Sequence, residues 1–233
     1  MPRQMRLTPD IVAMVPPHSG ETGLMSTRTD RPTDHDYAAA VETVLSGRPD
    51  SGEVWIFAYG SLIWNPEFAH IEDRLGTLHG WHRSFCLGWV RIYRGTPERP
   101  GLMLALDRGG ACRGVAFRLP PDAVAENLTI LLRREMPLIR PTLPCRWVSV
   151  RTSEGPIRAL AFPISRTSPA YLPDLQEDVV VQALATAAGE RGSMAEYLHS
   201  TVQHLQDRGI HDRYLWRMQE LVAHRIQAIA GQA

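Results

Sequence analysis

Val54-Trp55-Ile56-Phe57-Ala58-Tyr59-Gly60-Ser61-Leu62-Ile63-Trp64-Asn65-Pro66 is the stretch from which the fold can be read. Its first four residues are apolar at both alternating positions, which predicts a strand buried on both faces. The strand runs into Gly60, where the backbone is free to turn sharply and approach a ligand closely. The amides around Ser61 and Leu62 are placed to offer donors to a carboxylate or a developing oxyanion. Strand-Gly-Ser turns are common, so the spacing alone leaves a binding loop and an ordinary turn both open.

Downstream, short β-rich runs recur at Ser84 to Val90, Leu102 to Asp107, Cys112 to Leu119, Cys145 to Val150 and Ile157 to Phe162, most of them bounded by Gly, Pro or Asp. Helical periodicity covers Asp122 to about Met136, Leu175 to Ala188, and Ser193 to Ile229. The last region divides in two, because Arg208-Gly209-Ile210-His211-Asp212 reads as a C-cap glycine followed by a new N-cap. Strands that do not alternate regularly with helices predict an α+β fold: a closed or nearly closed sheet with flanking helices and a C-terminal helical region.

Upstream of the strand, residues 1–35 mix Pro, Ser, Thr, Arg and Asp without periodicity and are expected to be a mobile leader. Residues 36–50 hold a short helix, Tyr37 to Leu45, and the punctuation Ser46-Gly47-Arg48-Pro49-Asp50, leaving residues 51–230 as a single domain.

Lys plus Arg and Asp plus Glu number 25 each, so the basic excess expected of a nucleic-acid binder is missing. Cys86, Cys112 and Cys145 are odd in number and include no C-x-x-C pair, which argues against a disulfide framework and a structural zinc site and fits a reducing compartment. Ile11 to Val15 is too short for a signal-peptide core, and no later apolar run reaches the roughly 18 to 20 residues of a membrane span. The expected setting is therefore the cytoplasm, with no membrane partner.

Glu135 follows Leu132, Leu131 and Leu128 by three, four and seven residues, which puts a carboxylate on the apolar face of its helix. Partial burial and the negative end of the helix dipole would both disfavour its charged form and raise its pKa toward the range of a general base. A structural ion pair with Arg133, Arg134, Arg118 or Arg140 accounts for it equally well. Ser61 lies outside any G-x-S-x-G elbow, His79 and His82 lack an H-E-x-x-H context, and the cysteines sit in or beside apolar strands. None of these reads as a nucleophile or metal ligand.

The quoted stretch, with its Tyr59-Gly60-Ser61-Leu62 signature, closely resembles the opening of ChaC-family γ-glutamylcyclotransferases. The resemblance continues through Gly80-Trp81-His82-Arg83-Ser84-Phe85-Cys86, Arg94-Gly95-Thr96-Pro97 with Pro100-Gly101, and Gly114-Val115-Ala116-Phe117-Arg118-Leu119-Pro120. It takes in Arg134-Glu135-Met136 and Gly189-x-x-Gly192-Ser193-x-x-Glu196-Tyr197-Leu198, and so covers roughly residues 50 to 228. Ala58 departs from the family, which usually has Gly before the Tyr, and Pro137-Leu138-Ile139-Arg140-Pro141 replaces a more flexible segment.

The resemblance implies a γ-glutamylcyclotransferase-like fold, cleavage of glutathione to 5-oxoproline and Cys-Gly, Glu135 as the catalytic glutamate, and a γ-glutamyl-binding loop of Ala58, Tyr59, Gly60, Ser61, Leu62 and Ile63. Such a substrate carries its own nucleophile, the α-amine, so no metal or cofactor is expected. Arg94 is the candidate for gripping a terminal carboxylate, with a solvated surface arginine as the alternative. Tyr197 borders the pocket by analogy with the family, or else packs its helix. A cyclotransferase for other γ-glutamyl dipeptides or amines, and a non-catalytic γ-glutamyl-binding module, remain the competing functions. The sequence sets no oligomeric state.

Overall fold

Trp55–Ala58 forms strand β1, buried on both faces as its composition predicts. The computed structural model describes residues 4–17, 31–50, 52–138 and 141–232. In chain order the elements are helices α1 (Pro9–Val12) and α2 (Asp34–Ser46), then β1, β2 (Glu72–Val90), β3 (Gly101–Arg118), α3 (Val124–Glu135), β4 (Arg146–Thr152), β5 (Gly155–Ala161), α4 (Glu177–Thr186), α5 (Met194–Asp207) and α6 (Arg213–Ala230). The five strands close into a barrel in the order β1-β3-β2-β4-β5, which is the α+β closed sheet expected.

Both edges of β1 are paired. It runs antiparallel to β3, from Trp55 opposite Arg118 to Ala58 opposite Val115, and parallel to β5, with Trp55 opposite Ala159 and Ile56 opposite Leu160. Alternation then sorts its side chains. Trp55, Phe57 and Tyr59 join Leu78, Leu106, Cys112, Ala116, Val150, Ala159 and Ala161 in one buried cluster, filled by residues from all five strands.

The chain divides into two compact units. One comprises Arg28–Ser84 and Ala105–Tyr171, with β1, α2, α3, β4 and β5; the other comprises Met1–Thr27, Phe85–Leu104 and Leu172–Ala233, with α1 and α4 to α6. Strands β2 and β3 contribute residues to both. In the first unit, α3 buries Asn127, Leu128, Leu131 and Leu132, and Asn127 accepts a hydrogen bond from Ala69 N at 2.6 Å. In the second, α5 starts at its N-cap Ser193, whose hydroxyl accepts from Glu196 N at 3.0 Å. The break predicted in the C-terminal region is present: α5 ends at Asp207, Gly209 takes φ +68°, and Asp212 caps α6 by accepting from Leu215 N at 3.1 Å.

Two strands are longer than the sequence suggests. The predicted runs Leu102 to Asp107 and Cys112 to Leu119 are one strand, β3, because Gly109 and Gly110 take φ +110° and +66° and let it bend where their turn-like composition reads as a break. The Ser84 to Val90 run is only the end of β2, whose first part is obscured by charges at Glu72, Asp73 and Arg74 and by Gly76 and Gly80. Within the expected leader, residues 4–17 carry α1 and place Leu7 out of solvent with its amide on Gln219 Oε1 at 2.9 Å; residues 1–3 and 18–30 lie outside the described residues.

Gly114 on β3 lies close against β1, since a Cβ there would overlap the Ala58 carbonyl oxygen and the Phe57 ring. Gly114→Ala therefore wedges the two strands apart. We expect it to cost about 1–3 kcal/mol, measured as a lower urea midpoint with an unchanged denaturant slope.

Candidate active site

Beyond Ala58 the chain leaves the ladder and folds into a tight turn. Ile63 N donates to Gly60 O at 2.9 Å, Trp64 N to Ser61 O at 3.2 Å and Asn65 N to Ser61 O at 2.8 Å. These bonds use carbonyls of Gly60 and Ser61, while the N–H groups of Gly60, Ser61 and Leu62 make no hydrogen bond to the described residues. Consecutive unspent amides of this kind form a site for an anion or an oxyanion. Tyr59 anchors the approach from inside the barrel, its hydroxyl donating to Phe162 O at 2.9 Å.

Glu135 is the last residue of α3, in the same unit as this turn, with its side chain 14% exposed. Burial is the main reason that its carboxyl is raised above the usual carboxylate range, and the nearby Glu67 charge adds to it. The Arg134 guanidinium, with Nε 3.2 Å from Glu135 Oε1, opposes that rise without cancelling it. The catalytic and ion-pair readings of Glu135 are thus compatible: it has an arginine partner and a raised pKa.

Arg134 also reaches the turn. Its Nη2 donates to Ser61 Oγ at 3.0 Å, and its Nη1 donates to Asn65 O at 2.5 Å and lies 3.1 Å from Glu67 Oε1. One planar guanidinium thus ties the carboxylate at the end of α3 to the Gly60-Ser61 turn. Because the Ser61 hydroxyl receives a hydrogen bond from a cation, that contact cannot draw off its proton as a nucleophile's base would.

Arg94 and Tyr197 come together in the other unit. Arg94 Nη1 donates to Ser193 O at 2.9 Å and lies 3.2 Å from Glu196 Oε2, and the guanidinium sits 5.5 Å from the centre of the Tyr197 ring. The Arg94 side chain is mostly buried, so it is not a solvated surface arginine. Tyr197 is also buried, edge-on to Phe85 at 6.5 Å.

Other candidates fall away on chemistry. Burial pushes the Cys145 thiol up to about 12, and Cys86 and Cys112 are buried. His82 Nδ1 lies 3.2 Å from Gly109 O. Among the described residues no group of three or more His, Cys, Asp and Glu side chains is placed to hold a metal ion, and no helix is long and apolar enough to cross a membrane. Of the segment after Glu135, Ile139 and Arg140 lie outside the described residues. Sequence reasoning missed the roles of Arg134 and of Arg83, whose Nε donates to Tyr59 O at 2.6 Å. Arg134 was visible only as one of four arginines able to pair with Glu135. Arg83 is in phase with Trp81 and Phe85 on β2, a signal hidden because that part of the strand was unread.

The chain is similar to known proteins over most of its length. The model of the ChaC-like protein family matches residues 54–225. The glutathione-specific gamma-glutamylcyclotransferase of Escherichia coli (strain K12) is 42% identical over 181 residues, 75% of this chain and 77% of that protein. The Homo sapiens glutathione-specific gamma-glutamylcyclotransferase 1 is 32% identical over 152 residues, 64% and 68% of the two chains. A crystal structure of the gamma-glutamyl cyclotransferase specific to glutathione from yeast superposes with a TM-score of 0.66 at 20% identity, covering 73% of this chain and 96% of that one, so the fold is shared.

A carboxyl that is raised on folding binds more protons in the native state than in the unfolded one. It therefore favours the native state most below the unfolded carboxylate pKa, and that contribution is lost as pH rises through the native pKa. Glu135→Gln, which stays neutral, should melt above the wild type at about pH 7.5, and the gap should close near about pH 4, as thermal denaturation across pH will read directly.

Proposed function

The chain belongs to the ChaC-like protein family, and from that premise we propose that it is a γ-glutamylcyclotransferase cleaving glutathione to 5-oxoproline and Cys-Gly. The observation that carries the reading is a carboxylate drawn largely out of water and tied by Arg134 to a turn whose amides are unspent. The identity of the substrate rests on the relatives: proteins specific for glutathione align over three quarters of this chain at 42% identity in E. coli and over most of its length in the human case.

The chemistry asks little of a cofactor. The α-amine of the γ-glutamyl group attacks its own γ-carbonyl, a C–N bond closes the five-membered ring, and the amide C–N bond to cysteine breaks. Glu135 takes a proton from the α-ammonium and gives it to the departing cysteine nitrogen, then relays the second proton, shed by the ring nitrogen, to the released amine, so the base is regenerated. A pKa above that of an ordinary carboxylate suits both transfers, because the group must accept a proton and then release it. The amides of Gly60, Ser61 and Leu62 hold the γ-glutamyl group and take up the charge that develops on the carbonyl oxygen. Arg94 is the candidate for a terminal carboxylate, and its guanidinium pairs with the half-exposed Glu196 within its own unit. Cys86, Cys112 and Cys145 as thiols rather than disulfides favour a cytoplasmic setting.

Incubation of the purified protein with reduced glutathione should yield 5-oxoproline and Cys-Gly in equal amounts. Glu135→Gln should lower kcat by about 10²- to 10⁴-fold while remaining folded. Full turnover by that variant removes Glu135 from the mechanism. Cyclisation of a γ-glutamyl dipeptide with glutathione left intact would keep the mechanism and replace the substrate, and binding without turnover would make the protein a γ-glutamyl-binding module.

Arg94→Ala should raise KM for glutathione by about tenfold, the scale of one lost charge-assisted contact, with a smaller change in kcat. Steady-state kinetics showing an unchanged KM would take Arg94 out of substrate binding.

A further inference from the structure

Arg83 is one of few charged side chains buried among the described residues, at 3% exposure, and it lies in the same unit as β1 and the Gly60-Ser61 turn. A guanidinium at that depth is tolerated only when its donors are satisfied. Two of them meet backbone carbonyls: Nε donates to Tyr59 O at 2.6 Å and Nη2 donates to Arg113 O.

Those two carbonyls mark a particular place. Ala58 opposite Val115 is the last pair of the β1–β3 ladder. Continuing that register would set Tyr59 opposite Gly114 and Gly60 opposite Arg113, so both carbonyls lie just past the last ladder pair. The side chain of Arg83 reaches from β2 to both, bracing the backbone of β1 and of β3 just beyond their last ladder pair.

Peptide geometry carries the effect into the turn. In a planar trans peptide the C=O of one residue and the N–H of the next point in opposite directions. Holding Tyr59 O on Arg83 therefore aims the Gly60 N–H away from Arg83 and fixes the start of the run of unspent amides. We infer that Arg83 is a positioning residue for catalysis, a splint that ends β1 at Tyr59 and orients the amides of the Gly60-Ser61 turn. The inference rests on the proposed function only for its link to turnover. The splint itself is a property of the backbone and can be measured separately.

The test uses the full chain with Arg83→Lys and Arg83→Gln, neither of which can place two donors as a guanidinium does. Two readouts are taken: kcat/KM for glutathione, and amide hydrogen exchange. The informative amides are Ile63 and Asn65, which close the turn, against Leu131 and Leu132 in α3. Expected is at least tenfold faster exchange at Ile63 and Asn65 with Leu131 and Leu132 unchanged, together with at least a tenfold loss of kcat/KM. The inference is overturned if all four amides accelerate together, if both variants fail to fold, or if the turn loosens while kcat/KM stays within twofold of the wild type. Exchange and turnover both within twofold overturn it as well. A wild-type protein that makes no 5-oxoproline would sink the proposed function instead, and the exchange pattern alone would then decide whether Arg83 is the splint.

Discussion

A strand buried on both faces and paired on both edges has nowhere to slide, and β1 meets both conditions. A slip of one residue would swap Trp55, Phe57 and Tyr59 with Ile56 and Ala58, exchanging the large residues of the barrel interior for smaller ones. The position of Tyr59 at the strand's end follows from that register, as does the position of the turn that begins at Gly60. The loop that gives the site its donors owes its precision to the rigid structure around it as well as to the bonds that close it.

The opposite wall of the site is set by a competition. Burial of α3 through Leu128, Leu131 and Leu132 carries Glu135 out of water, and the loss of hydration outweighs the attraction of Arg134. Had the guanidinium won, the carboxyl would sit below its usual range and be a poor proton carrier. Arg134 divides its donors among Glu135, Glu67, Ser61 and Asn65, so it positions Glu135 without dedicating its whole charge to it. Arg94 is held in the same fashion in its own unit, by Glu196 and the Ser193 carbonyl.

Much of this was legible from the residues. The apolar alternation of Val54 to Phe57, the leucine stripe leading to Glu135, and the Gly209 and Asp212 signals are local patterns, and each appears where it was expected. The long strands β2 and β3 were not legible, because glycines at positive φ bend a strand with the same residues that elsewhere end one. Arg83 and Arg134 carry no local signature of their roles. Their partners, Tyr59 and Arg113 for one and Ser61 and Asn65 for the other, are far away in sequence and are brought near only when the barrel closes. The resemblance to the ChaC family marked both segments without saying what the arginines do.

The parallel pairing of β1 with β5 also bears on synthesis. Both neighbours of β1 are made after it, and the partner of Trp55 on the closing edge is Ala159. A ribosome moving from the N-terminus therefore releases Val54 to Tyr59 long before either edge can be covered. An uncharged, proline-free apolar segment of this length is prone to pair with copies of itself. The nascent chain must wait with its most adhesive strand uncovered until β5 emerges, which makes this segment a natural client for chaperones and a seed of inclusion bodies when expression outruns folding.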